Sequence, residues 1–269
     1  MDLDIYQVDS FTSEAFKGNP AGVCITHDGL SEHLMRSIAQ EMAVSETAFL
    51  SLSDMRLRWF TPEAEVKLCG HGTLAAAHIL KQRGQVKAGE EVQFETLSGT
   101  LTARVNEATI ELDFPSPIID FGLSPSFDLL EQLGIDADKV VSFGRFDSKE
   151  FIEVESEETV LNLTPNFDAL KQMAGRGVLV TTRAESRELD FVSRYFAPWV
   201  GVNEDPVTGS AHCALTVYWS EKLGKLQLKG YQASARGGYV ATERLPNGRT
   251  KLIGSAVTVI QGMMRVPEA

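Results

Sequence analysis

A chain of 269 residues with a formal charge of -12 and a pI of about 4.9 repels phosphate backbones and anionic lipid, which argues against nucleic-acid and membrane partners. Apolar residues at 43% against 23% charged place it among folded globular chains and away from disordered ones. Met1-Asp2-Leu3-Asp4 is acidic where a secretory signal is basic, and no apolar run nears the roughly 20 residues a bilayer requires; Cys24, Cys69 and Cys213, odd in number and far apart, read as free thiols, so a cytoplasmic protein is expected.

Alternation of Ile5, Gln7 and Asp9 with Tyr6, Val8 and Ser10 predicts an opening strand. Phe16-Lys17-Gly18-Asn19-Pro20-Ala21-Gly22 reads as a turn before the apolar run Val23-Cys24-Ile25. Ser31 is placed to cap a helix to about Glu41, with Leu34, Ile38 and Met42 at helical spacing. Strands are expected at 47–50 and 57–60. After Cys69-Gly70-His71-Gly72, the run from Thr73 to Leu80 is rich in alanine and free of charge, which predicts a helix buried all round. Further strands fit 92–94, 101–105 and 109–114. The proline-bearing stretch from Pro115 to Pro125 is the candidate linker. Beyond it come a short helix at 128–133 and strands at 151–154, 177–181 and 189–195. A second buried helix runs from about Ser210 to Leu223 and stops at Gly224. Strands near 239–242, 249–253 and 257–261 close the chain.

The two halves echo each other. Arg58-Trp59-Phe60-Thr61-Pro62 resembles Arg194-Tyr195-Phe196-Ala197-Pro198, and Gly72-Thr73-Leu74-Ala75 resembles Gly209-Ser210-Ala211-His212 at nearly the same offset. Each passage reads strand, proline-bearing loop, glycine, small hydroxyl residue, buried helix. A helix N-terminus leaves backbone N–H groups unpaired and carries partial positive charge, so two glycine-led starts can together hold a carboxylate or an enolate-like oxygen. The alternative is that glycine merely permits a tight turn into each helix.

Titratable side chains surround these loops: Cys69 and His71 before the first helix, Glu204 and Asp205 before the second. Glu46, at the head of the apolar run Thr47-Ala48-Phe49, is either a solvated loop-end carboxylate or an acid/base group. Partial burial is expected to raise its pKa and suit it to proton exchange. Cys69, His71, His78, His212 and Cys213 lack the paired spacing of a zinc site, so no metal is expected. Gly70-x-Gly72-x-x-Ala75 imitates a dinucleotide fingerprint but follows a polar loop instead of a buried strand, and no cofactor is expected.

Four ordered motifs carry a family resemblance: Phe16-Lys17-Gly18-Asn19-Pro20-Ala21-Gly22-Val23, Ser45-Glu46-Thr47-Ala48-Phe49, Cys69-Gly70-His71-Gly72-Thr73 and Glu204-Asp205-Pro206-Val207-Thr208-Gly209-Ser210-Ala211. Together they resemble the PhzF-like phenazine-biosynthesis proteins, relatives of diaminopimelate epimerase. The resemblance implies an α+β chain of two similar domains, each a curved, barrel-like sheet around a central helix, with substrate in the cleft between them. It puts the first domain at 1–117, completed by a closing strand at 256–269, and the second at 118–255. A homodimer is implied.

By the same resemblance Glu46 is the acid/base carboxylate, His71 and Asp205 support it, and Ser210 is a hydroxyl near the substrate. Gly72, Thr73 and Gly209 turn backbone N–H groups to the ligand, and Asn19 contacts substrate from its turn. The best-understood member moves a proton on a dihydro-hydroxyanthranilate ring without a cofactor. The implied activity here is a cofactor-independent isomerase acting on a small carboxylated metabolite. Its alternatives are an epimerase or lyase using the same site, or a non-catalytic binding member of the fold. Cys69 stands where diaminopimelate epimerases carry one of two catalytic cysteines, while Asp205 occupies the second place. Cys69 is expected to be a spectator of the chemistry; the alternatives are a Cys69/Asp205 pair acting on two faces, or an accessory thiol whose pKa the helix start lowers.

Overall fold

The computed structural model describes residues 1–266, and its contacts divide the chain into two compact units, Met1–Phe114 with the segment from Lys251 on, and Pro115–Thr250. The first half of the chain contains β1 (Asp2–Ser10), β2 (Asn19–Thr26), α1 (Glu32–Met42), β3 (Glu46–Ser51), β4 (Arg56–Phe60), β5 (Glu65–Val66), α2 (Gly70–Gln82), β6 (Glu91–Thr96), β7 (Gly99–Val105) and β8 (Ile110–Pro115). The second contains α3 (Phe127–Leu133), β9 (Val140–Phe146), β10 (Lys149–Val154), α4 (Glu157–Leu161), α5 (Phe167–Gln172), β11 (Val178–Arg183), β12 (Phe191–Ala197) and β13 (Val202–Glu204). It closes with α6 (Gly209–Leu223), β14 (Gln227–Gln232), β15 (Gly238–Leu245), β16 (Arg249–Gly254) and β17 (Ala256–Arg265). Residues 267–269 of the expected closing strand lie outside the described residues. Among the described residues no helix is long and apolar enough to cross a bilayer.

In the first unit, β1 pairs antiparallel with β17 and β2, β2 parallel with β3, β3 antiparallel with β4, and β4 parallel with β6. The ladder continues antiparallel through β7 to β8, and two-residue β5 hangs on β4. α2 touches β17, β1, β2, β3 and β7, strands drawn from both ends of that ladder. One helix can do so only where the sheet curls around it. The second unit repeats the order of pairings. β9 is antiparallel to β10, β10 parallel to β11, β11 antiparallel to β12, and β12 parallel to β14, with short β13 on β12. α6 packs on β14 and β15.

Both central helices are buried nearly all round, as their composition predicts: Leu74, Ala75, Ala76, Ala77 and Ile79 in α2, and Ala211, Ala214, Leu215 and Trp219 in α6, have no exposed surface. Gly224 ends α6 in the left-handed conformation, φ 65°. α1 is an outer, amphipathic helix. Ser31 Oγ accepts the Leu34 N–H, and Met35, Ile38 and Ala39 pack against Phe49 and Phe60.

Five elements of the second half lack a signal in the sequence: β9, α4, α5, β13 and β14. β9 pairs with β10 at a chain hairpin, while α4 and α5 are a turn or two long and capped by Ser156 and Asn166. The stretch 16–22, expected as turn throughout, is strand from Asn19, since Ser10↔Asn19 and Asp9↔Pro20 already pair with β1. β3 joins only from Ala21, so the N–H that Pro20 lacks removes no bond on that side.

Parallel pairing of β12 with β14 sets Gly230 opposite Phe191, so a Cβ at Gly230 would overlap the ring. Phe191 is fully buried and stacks on Trp219. Gly230→Ala is expected to destabilise the protein by about 1–3 kcal/mol through overpacking, read as a lower urea midpoint. An unchanged midpoint would mean that the aromatic core shifts freely.

Candidate active site

The start of α2 brings three reactive side chains together. Cys69 is the N-cap: its Sγ accepts the Gly72 N–H at 3.3 Å, and its carbonyl accepts the Thr73 N–H at 3.0 Å and the Thr73 hydroxyl at 2.6 Å. His71 follows on the first turn, its carbonyl held by the Ser10 hydroxyl at 2.9 Å. Glu46 opens β3, and its Oε2 lies 3.3 Å from His71 Nε2. The Ser45 hydroxyl approaches the same nitrogen at 3.4 Å, and Cys69 Sγ lies 3.6 Å from His71 Nδ1. Asn19 is buried at the head of β2, paired with Ser10. One face thus carries Glu46, His71 and Cys69, with Ser10 linking it to Asn19.

Burial and close partners pull the ionisation of this cluster in opposite directions. Burial pushes the Glu46 carboxyl up, but the hydrogen bond and charge of His71, with the Ser45 hydroxyl, outweigh it and hold its pKa below the ordinary 4.5. Burial likewise disfavours an imidazolium, yet Cys69 and Glu46 beside His71 hold its pKa well above 6.5. Both shifts favour a carboxylate facing an imidazolium, with Nε2 toward Glu46 and Nδ1 toward the sulfur. The expectation of a raised Glu46 pKa is corrected: a cationic partner outweighs desolvation.

Two further expectations change. The Cys69 thiol is pushed up by burial, helped by the charge of Glu46 and only partly opposed by His71, so the lowered thiol pKa is not found. In the native protein, Cys69 should alkylate with iodoacetamide more slowly than free cysteine at neutral pH, because a raised pKa leaves less thiolate and the sulfur is buried. Site-resolved mass spectrometry measures this, and alkylation as fast as free cysteine would refute it. Secondly, the N–H groups of Gly72 and Thr73 do not turn outward to a ligand, since Cys69 takes both. The helix-start donors that these two bonds leave are those of Gly70 and His71.

In the second unit Asp205 follows β13. Its N–H donates to the Tyr195 carbonyl at 3.0 Å, and its carboxylate accepts the Thr208 hydroxyl at 2.5 Å. Thr208 is the N-cap of α6, yet its side chain makes no capping bond to the helix. The Gly209 and Ser210 positions thus open a helix with no side-chain cap, and Ser210 Oγ accepts from Lys149 Nζ at 3.0 Å. Burial lowers the Lys149 pKa, with Arg176 adding to the effect and Asp147 opposing it.

Gln232 staples this loop. Fully buried, it donates to the Asp205 carbonyl at 2.6 Å and accepts the Thr208 N–H at 2.9 Å. Neither Gln232 nor Lys149 was legible in the sequence, because each reaches the loop across a strand pairing far along the chain. His212 Nδ1 donates to the Thr208 carbonyl at 2.9 Å, and burial drops its pKa to about 4, so it stays neutral.

One oxygen of Glu46, the sulfur of Cys69 and one nitrogen of His71 lie within 4.8 Å of one another, a grouping that the contacts among them and the Gly72 N–H account for. Among the other histidines and cysteines weighed for zinc, His78 pairs with the Thr258 hydroxyl at 3.1 Å and His212 with Thr208, apart from this set.

Comparison with known proteins bears on what such a site does. The family model described as phenazine biosynthesis-like protein matches residues 8–262. An uncharacterized isomerase of Halalkalibacterium halodurans is 48% identical over 263 residues, covering 97% of this chain and 98% of that protein. The crystal structure of a PhzF-family phenazine biosynthesis protein from Enterococcus faecalis superposes with a TM-score of 0.91 at 38% identity, covering 99% of this chain and 100% of that one. At 10% identity, a hydroxyproline epimerase from Agrobacterium vitis shares the fold alone, with a TM-score of 0.63 over 97% of this chain and 92% of that one. Matched along nearly its whole length, on an epimerase-like α+β fold, the chain belongs to the PhzF, or phenazine biosynthesis-like, family.

Proposed function

We propose that this chain is a cofactor-independent isomerase that moves a proton on a small carboxylated metabolite, with Glu46 as its acid/base. The observation that carries the reading is the largely buried contact of Glu46 Oε2 with His71 Nε2 at 3.3 Å. A carboxylate already ionised at neutral pH takes a proton from carbon directly. The electron pair left on the substrate is then stabilised by the His71 charge and by the N–H groups at the helix start. Glu46 returns the proton at another carbon of the same conjugated system, so no oxidant or cofactor is required. Gly209 and Ser210 at the start of α6 hold the substrate's carboxylate, Asp205 orients the substrate as a hydrogen-bond acceptor, Asn19 contacts the substrate, and Cys69 caps α2 without entering the chemistry. The isomerase names of curated relatives support the reaction class. The same reading takes the protein as a cytoplasmic homodimer.

Incubation in D2O with a panel of small amino and hydroxy carboxylates and cyclohexadiene acids, followed by NMR, tests this. Deuterium appearing at a carbon position supports the isomerase. Uptake with loss of a substituent identifies a lyase. No uptake from folded protein across the panel overturns the reading in favour of a metabolite-binding member.

A further inference from the structure

Each unit contains the same arginine–glutamate clamp. Arg58 on β4 donates through Nε and Nη2 to the two oxygens of Glu65, both at 2.6 Å, and its guanidinium lies 5.1 Å from the Phe60 ring centroid. Arg194 on β12 donates the same two groups to the oxygens of Glu204 at 2.7 and 3.0 Å, 4.9 Å from the Phe196 ring. In both units the glutamate sits on the short strand, opposite the phenylalanine: Phe60↔Glu65 and Phe196↔Glu204. In both, the fourth residue after the glutamate is the N-cap of the central helix, Cys69 or Thr208. Each arginine also reaches an outer helix. Arg58 meets Glu32 of α1 at 3.4 Å, and Arg194 donates to the Val160 and Leu163 carbonyls around the end of α4 at 3.3 and 2.8 Å.

We infer that Arg58–Glu65 and Arg194–Glu204 are positioning residues that hold the two helix starts, and with them His71 and Asp205, in register with the strands beside them. A strand of two or three residues has too few ladder bonds to fix its own register. Between Glu65 and Cys69 the chain runs through exposed Lys67 and Leu68, tied at the Lys67 carbonyl by the Ser98 hydroxyl. A guanidinium fork gripping both carboxylate oxygens fixes distance and angle together, which a lysine point charge does not. Stability alone does not require such pairs, because packed apolar residues commonly replace half-buried ion pairs without loss. What the clamp adds is direction, delivered at the same four-residue lead to both helices.

The inference rests on the proposed roles of His71 and Asp205, but its primary test does not need turnover. The side-chain NMR titration of His71, assigned by comparison with His71→Gln, is recorded in wild type, Glu65→Gln, Arg58→Lys and Glu204→Gln. Glu46 and Cys69 are the titratable groups facing His71, so its midpoint reports how closely they stand. Glu65→Gln and Arg58→Lys are each expected to lower that midpoint by about one unit or more, as His71 drifts from Glu46. Arg58→Lys keeps the charge, so a fall in both variants marks geometry and not the lost carboxylate. Glu204→Gln, in the other unit, should leave His71 unmoved and instead lower the deuterium-exchange rate on any compound the wild type exchanges. If the midpoint is unchanged in folded Arg58→Lys and Glu65→Gln, the clamp is structural only and the inference fails, whatever the exchange assay shows. A wild type that exchanges nothing, with a midpoint that falls, keeps the clamp and removes the isomerase.

Discussion

Glu46→Gln is expected to lower deuterium exchange by about 10²–10⁴-fold, or roughly 3–5 kcal/mol of barrier, while leaving the fold intact. The amide has nearly the shape of the carboxylate but accepts no proton from carbon. Its side chain is 22% exposed, so the substitution leaves no buried cavity. The variant also strips His71 of its anionic partner. With that raising influence gone, the His71 midpoint should fall.

The pH dependence follows with definite signs. Glu46 has a folded pKa below 4.5, so its contribution to stability is present above 4.5 and is lost as pH falls through the lowered value. His71 has a folded pKa above 6.5, so its contribution is full below 6.5 and is lost as pH rises through the raised value. The melting temperatures of wild type and Glu46→Gln should therefore differ most between about 4.5 and 6.5 and converge on either side. A gap that stayed constant across that range would mean the pair is not ionised as described. An exchange rate equal to wild type would remove Glu46 from the chemistry altogether.

Trp219→Ala should destabilise the protein by about 3–5 kcal/mol, the largest single loss expected in the second unit. Trp219 is fully buried on α6 and stacks nearly parallel on Phe191, with centroids 6.3 Å apart at 7°. Its indole N–H donates to the Thr181 hydroxyl at 3.1 Å, so truncation leaves both a void and an altered polar contact. Urea unfolding of the wild type and variant measures the loss, and a value under about 1 kcal/mol would mean that the core collapses into the void. Trp59 of the first unit provides the contrast. It is equally buried, but among the described residues its indole N–H has no hydrogen-bond partner. Trp59→Phe removes an unpaired donor and should cost less than Trp219→Phe.

The two central helices were legible because both signals lie in consecutive residues: small apolar side chains without charge, and a glycine-led start. The Ser31 cap and the Gly224 stop were legible for the same reason. β9, β14 and the short helices were missed because their stability comes from neighbours in space, with caps and pairings in place of long periodic runs. The motifs named Glu46, His71 and Asp205 through resemblance, not through any periodicity of their own.

What the sequence determined by itself is therefore local: where helices begin and end, which are buried on every side, and that the halves repeat. Tertiary structure decided which groups meet and in what ionic state. Glu46 and His71 stand 25 positions apart in the chain and become a pair because β3 and the start of α2 converge. Burial alone would raise the carboxylate, and only the imidazolium brought beside it by the fold reverses that sign. The clamps, Gln232 and Lys149 belong to the same class. A pKa, a hydrogen bond or a register is a balance between desolvation and a partner, and in a folded chain the partner is chosen by proximity in space.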